Sequence, residues 1–242
     1  MIGNFGAKRS PEVCKLIDKY VLYKLYSYSC SCSISMIQTY NNILWGCFSP
    51  RSCVMVENMT DDRYHNIYEN GSACFWTSSI INRIPVFKSR TAALSLLKIW
   101  DHCRDKYNVK LLGYVVMPDH IHIVLWSQDV ADIEIFIEQT LRRASSEIVG
   151  MTACAAERGE LFAKAWLTTF RMHASKGSRA RVWKERGHGF PVCDEETLSQ
   201  KLMYMHNNPV RNGLVECAEN WEFSSAAWYS NQSGPISIDR LD

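Results

Sequence analysis

The chain is predicted to be an α+β domain, an antiparallel sheet with helices packed on one face. Three observations predict it. Strand-like and helix-like stretches alternate in the order β-α-β-β-α-(insert)-β-α. The two central strands are joined by the turn signal Pro118-Asp119. The helical stretches are apolar along one stripe, so each has a face to bury.

The elements follow in order. Phe75–Ile81 is apolar and β-branched, with polar Thr77 and Ser79 alternating, which predicts a strand. Residues 90–107 carry apolar side chains at 93, 96, 97, 100 and 103, a one-faced helix with Ser89 or Thr91 as cap. Val109–Met117 and His120–Trp126 predict a tight hairpin of two strands. Residues 131–149, apolar at 133, 136, 137, 141, 144 and 148, predict a second helix. The stretch 150–181 is less regular, with a helix expected around 155–170. Val182–Val192 suits a further strand, and Asp194–Asn207 a helix that stops at Pro209. The core order is the ferredoxin-like, or RRM-like, one.

This domain is expected over residues 59–230, followed by a C-terminal tail, 231–242. Residues 1–58 change character. They cluster Tyr, Ser and Cys (Tyr-Ser-Tyr-Ser-Cys-Ser-Cys-Ser at 26–33) without helical or alternating pattern. We read them as an N-terminal extension, either poorly ordered or lying upstream of the native start.

With 47% hydrophobic and 21% charged residues the composition is that of a globular protein and excludes wholesale disorder. The ten cysteines form no CxxC pair, and the single CxC (Cys30, Cys32) has no matching second pair, so a zinc knuckle is not supported. Apolar runs break well before the roughly 20 residues of a membrane span. A reduced, cytoplasmic protein with free thiols and no membrane partner is expected.

Three features carry chemistry. His120 and His122 are two apart in a strand, so both leave the same face, half of a divalent-cation site. Alone, such a triplet more often marks two ordinary strand histidines. Tyr204 and Asn208, at i and i+4 on a helix, share one side and offer a hydroxyl nucleophile and an oxygen ligand. Alone, they read as a core tyrosine and a helix-end cap. The third feature is a basic run, Arg171, Lys176, Arg179, Arg181, Lys184 and Arg186 against the single acid Glu185, interleaved with His173 and Trp183. Cations among aromatics suit a phosphate backbone with unpaired bases, although a net charge of only +2 does not announce nucleic acid. Arg142 and Arg143 add charge on the second helix.

At this point the sequence resembles a known family. Gly-Tyr-Val-Val-Met-Pro-Asp-His-Ile-His-Ile-Val (113–124) resembles the HUH signature of the one-tyrosine, IS200-like transposases. Trp-Lys-Glu-Arg-Gly (183–187), Tyr-Met-His-Asn-Asn-Pro-Val-Arg-Asn-Gly-Leu-Val (204–215) and Trp-Glu-Phe-Ser-Ser (221–225) resemble the REP-associated tyrosine transposase branch. The resemblance spans about residues 64–229, with the motifs in the family's order. It implies an HUH motif on a central strand, His120, His122 and Asn208 as metal ligands, and Tyr204 as catalytic tyrosine. It also implies a Mg²⁺ or Mn²⁺ cofactor and cleavage of single-stranded DNA near hairpins through a 5′-phosphotyrosine and a free 3′-OH. Arg211, inside the second motif, joins Arg142, Arg143 and the basic run as an expected DNA contact. Relatives work as monomers or as homodimers that exchange the tyrosine helix, and the protein is expected at the nucleoid.

The phosphodiester-to-phosphotyrosine exchange conserves bond energy and needs no nucleotide cofactor. A phenol of pKa ~10 is a poor nucleophile at neutral pH and benefits from a nearby ion. The alternatives are a non-catalytic hairpin-binding protein on the same fold, and a metal-dependent hydrolase acting through water.

Overall fold

The computed structural model describes residues 71–184, 187–231 and 233–241. The expected extension (1–58), residues 59–70 of the expected domain and Arg186 lie outside the described residues.

Among the described residues four strands form one sheet: β1 (Ala73–Ser79), β2 (Lys110–Met117), β3 (His120–Trp126) and β4 (His188–Val192). Their order is β2-β3-β1-β4, with every neighbouring pair antiparallel. The α+β class and the interior place of the HxH strand are as expected. The helices are α1 (Arg90–Lys106), α2 (Val130–Glu157), α3 (Leu161–Met172), α4 (Glu195–His206), α5 (Asn208–Arg211) and α6 (Ala226–Asn231). Ser89 caps α1, its hydroxyl accepting from the Ala92 N–H at 3.4 Å, and Asp129 caps α2 through the Ala131 N–H at 2.9 Å.

Strand alternation sorts the side chains into two cores. Trp76, Tyr114, Val116, Ile121, Ile123 and Leu125 turn to one face and meet Leu96, Leu97, Trp100 and Phe136 of α1 and α2. A fully buried side chain such as Phe136 contributes about 1.5–3 kcal/mol. On the other face Phe75, Val115, Met117 and Val124 meet Leu198, Leu202 and Met205 of α4. Those three positions, i, i+4 and i+7, make one stripe. The two crossover helices thus share one face as expected, while α4 covers the opposite one. The covered strand positions there include His120 and His122, polar enough to hide that a helix lies over them.

One residue lets α4 come so close. The β2–β3 register slips between Leu111 and Gly113. A Cβ on Gly113 would stand 2.5 Å from Leu202 Cδ2 and 2.8 Å from Met205 Cε. Gly113→Val is therefore expected to lift α4 and cost about 1–3 kcal/mol by overpacking. Thermal unfolding should show the loss, and a variant as stable as the parent would mean that α4 does not rest on this backbone.

Several boundaries differ from expectation. After β1 the chain turns through Asn82 and Arg83, both left-handed at φ 51° and 54°. The second helix runs on to Glu157, and the next occupies 161–172 rather than 155–170. Of the described residues in the predicted Val182–Val192 strand, 188–192 join the sheet, and before them Trp183 makes an isolated bridge to Ile80. Asp194 caps α4 through the Thr197 N–H at 2.7 Å. α4 ends at His206, before Pro209 as expected, and Pro209 stands in the first turn of the short α5, where its missing N–H costs nothing. The expected tail is tied to β2: the Asp239 N–H donates to Leu111 O at 2.8 Å, and Ile236 is buried. Among the described residues no helix is long and apolar enough to cross a membrane.

Candidate active site

The β-strand period sends His120 and His122 to the α4 face, their rings 5.1 Å apart. Each is held through Nδ1. His120 Nδ1 lies 2.6 Å from Asp119 Oδ1, and a carboxylate can only accept, so Nδ1 carries the proton. Asp119 is itself held by Arg83 Nε at 3.4 Å. His122 Nδ1 lies 2.7 Å from Thr77 Oγ1, its neighbour across β1, and the ring stacks on Phe75 at 5.4 Å. Both histidines therefore keep Nε2 for another partner. In His122 that atom is buried with no hydrogen bond.

Burial keeps both imidazoles neutral at physiological pH. His122 is pushed down to about 3 by burial, with smaller contributions from His120, Arg83 and Lys201. His120 is lowered by burial against the opposing pull of Asp119. A neutral imidazole with a bare Nε2 and an anchored Nδ1 is the form that ligates a metal.

Tyr204 projects from α4 over this pair. Its ring is 5.8 Å from His122 and 6.4 Å from Phe75, and it is 44% exposed. The Arg211 guanidinium lies 5.2 Å from the centre of the tyrosine ring. The tyrosine thus reaches His122 of its own chain. Asn208 is buried, and its side-chain amide nitrogen has no hydrogen-bond partner. Among the described residues no three His, Cys, Asp or Glu side chains gather as a metal cluster. The neighbouring His206 is ordinary core: its Nε2 is 2.8 Å from the buried Ser225 hydroxyl.

The expected DNA contacts divide. Arg181 and Lys184 line an open cleft of about 650 Å³ with Ser79, Asn82, Arg83 and His173, next to the Asp119–His120 corner. Arg171, Lys176 and Arg179 are exposed at the end of α3 and in the loop after it. Trp183 is corrected. It is 8% exposed, packs against Phe87 and donates its indole N–H to Leu141 O at 3.1 Å, so no base can stack on it. Arg142 is exposed on α2, while Arg143 turns to Cys103 of α1 at 3.5 Å; α2 covers the sheet face opposite Tyr204. Sequence reasoning missed Thr77, Arg83, Asp119 and Lys201. Only Asp119, adjacent to the HxH, carried a signal.

The Asp119 carboxylate orients His120, so Asp119→Ala is expected to weaken divalent-metal binding by roughly 10- to 100-fold while leaving the fold intact. Calorimetric titration with Mn²⁺ measures this. An unchanged affinity would mean that His120 is not a ligand.

Comparison with known proteins agrees with the resemblance read from the sequence. The model of the family described as Transposase IS200 like matches residues 76–185. A REP-associated tyrosine transposase of Haemophilus influenzae is 22% identical over 126 residues, 50% of this chain and 61% of the relative. The match thus spans less than two thirds of that relative's length. Among solved structures, a REP-associated tyrosine transposase bound to a REP hairpin aligns with a TM-score of 0.47 and 16% identity, over 76% of this chain and 99% of the other. A Deinococcus radiodurans transposase aligns with a TM-score of 0.32 and 21% identity, over 62% and 97%.

Proposed function

We propose that this chain is a metal-dependent single-stranded DNA endonuclease and strand transferase that acts at DNA hairpins with Tyr204 as nucleophile. The observation that supports it best is the approach of Tyr204 to within 5.8 Å of His122, ring to ring, in one chain. A pure DNA binder has no need of an exposed tyrosine over two neutral, Nδ1-anchored histidines. The names of the relatives, REP-associated and IS200-like transposases, point to the same chemistry.

In this reading Tyr204 Oη attacks the scissile phosphorus. The Oη–P bond forms as the P–O3′ bond breaks; the phenol loses its proton and the departing 3′ oxygen gains one. The phosphate stays a diester, so the reverse attack by a 3′-OH reseals a strand without nucleotide cofactor. Mg²⁺ or Mn²⁺, when bound, supplies the charge that polarises the phosphate. His120, His122 and Asn208 would hold it, imidazole favouring Mn²⁺. Arg211 steadies the tyrosine ring from outside, and Arg83, Arg181 and Lys184 offer cations to the phosphates in the adjoining cleft.

The test is incubation with an end-labelled hairpin carrying single-stranded arms, in Mn²⁺ or Mg²⁺, followed by denaturing electrophoresis. A denaturation-resistant protein–DNA adduct is expected. Cleavage without adduct would replace the tyrosine by water, and binding without cleavage in either metal would leave only a hairpin-binding protein.

A further inference from the structure

Tyr204 is flanked by two side chains that the proposed reaction has not used. Among the described strands β4 is an edge of the sheet, and its Phe190 pairs with Phe75 across the ladder, so both rings stand on the Tyr204 face. Phe75 lies under the tyrosine and is 7% exposed, whereas Phe190, one strand further out, is 47% exposed. Lys201 is one helical turn before Tyr204 and so shares its side of α4. Its ammonium lies 4.4 Å from the Phe190 ring centre and 5.4 Å from that of Phe75. Among the described residues no carboxylate forms an ion pair with it. Burial lowers its pKa, the mark of a cation partly stripped of water, and such a cation gains more from an arriving anion than a solvated one does.

An accessible aromatic ring and an unpaired cation beside a nucleophile for phosphodiesters match a single strand, which offers a base to stack and a phosphate to pair. We propose that Phe190 and Lys201 form a nucleotide subsite in which Phe190 stacks one base next to the cleaved bond and Lys201 holds that strand's backbone phosphate. This rests on the strand-transferase reading, but binding tests it independently of cleavage.

The experiment is a cycle between protein and DNA. A hairpin with single-stranded arms is prepared with one abasic site walked along each arm, and its affinity is measured for the parent protein and for Phe190→Ala. At one position the abasic site should weaken parent binding by roughly 5- to 150-fold, the range of one stacked base, and should cost Phe190→Ala nothing further. Phe190→Trp should bind at least as well as the parent, and thermal unfolding of the variants checks that the edge strand is intact. Lys201→Met should reduce the slope of log affinity against log salt by about 0.7, the value of one single-strand phosphate, and Lys201→Arg should retain it. Effects that multiply at every position, or a Phe190→Ala protein that binds as the parent does, overturn the subsite. A non-additive cycle without any adduct in Mn²⁺ or Mg²⁺ overturns strand transfer instead and leaves the subsite standing.

Discussion

Tyr204→Phe is expected to abolish the covalent protein–DNA adduct, a loss on the order of 10⁶-fold if the hydroxyl is the nucleophile, with hairpin affinity nearly unchanged. The substitution removes one oxygen from a ring that is half exposed and leaves its contacts with Phe75, His122 and Arg211 in place. Stability should therefore move by no more than about 0.5 kcal/mol. That separation matters, because a folded, DNA-binding, inert protein isolates chemistry from binding. The decisive readouts are the adduct on a denaturing gel and the affinity for the same labelled hairpin. Cleavage that persists in Tyr204→Phe would assign the attack to water and leave the tyrosine a base-stacking ring.

Replacing either histidine by alanine should cost the same reaction several kcal/mol, on the order of 10³-fold in rate, and chelation by EDTA should reproduce the loss in the parent protein. The two variants should differ in stability. His120 lies at the corner of the hairpin and is partly exposed, so His120→Ala should fold almost normally. His122 is 5% exposed and stacked on Phe75, so His122→Ala leaves a hole in the α4 face and should melt at a lower temperature. Because burial keeps both rings neutral at pH 7, neither variant loses a charged side chain, and hairpin affinity measured in EDTA should survive. Raised Mn²⁺ should partly rescue His120→Ala if the imidazole is a ligand. Full adduct formation in EDTA would remove the metal from the reaction.

The β2–β3 hairpin, both crossover helices and the HxH pair were legible in the sequence because each is a local pattern. Period two puts His120 and His122 on one side, and period 3.6 puts Leu96, Leu97 and Trp100 on another. Trp183 misled for the opposite reason. Amid Arg181 and Lys184 it looks like a stacking ring, yet Ile80 and Leu141, both distant in sequence, take its backbone and its indole N–H. Phe190 carried no local signal at all. Its exposure follows from β4 being the edge strand, and edge position is a property of the assembled sheet.

The amino-acid sequence by itself determined the α+β order, the chemistry available in His120, His122, Tyr204 and Asn208, and the resemblance to the IS200-like transposases. Tertiary structure alone decided that α4 lies over the face carrying the histidines, which brings the tyrosine to them in the same chain. The physical reason is contact between distant segments: Leu198, Leu202 and Met205 find their apolar partners on β1, β2 and β3, and Gly113 leaves room for the ends of the Leu202 and Met205 side chains.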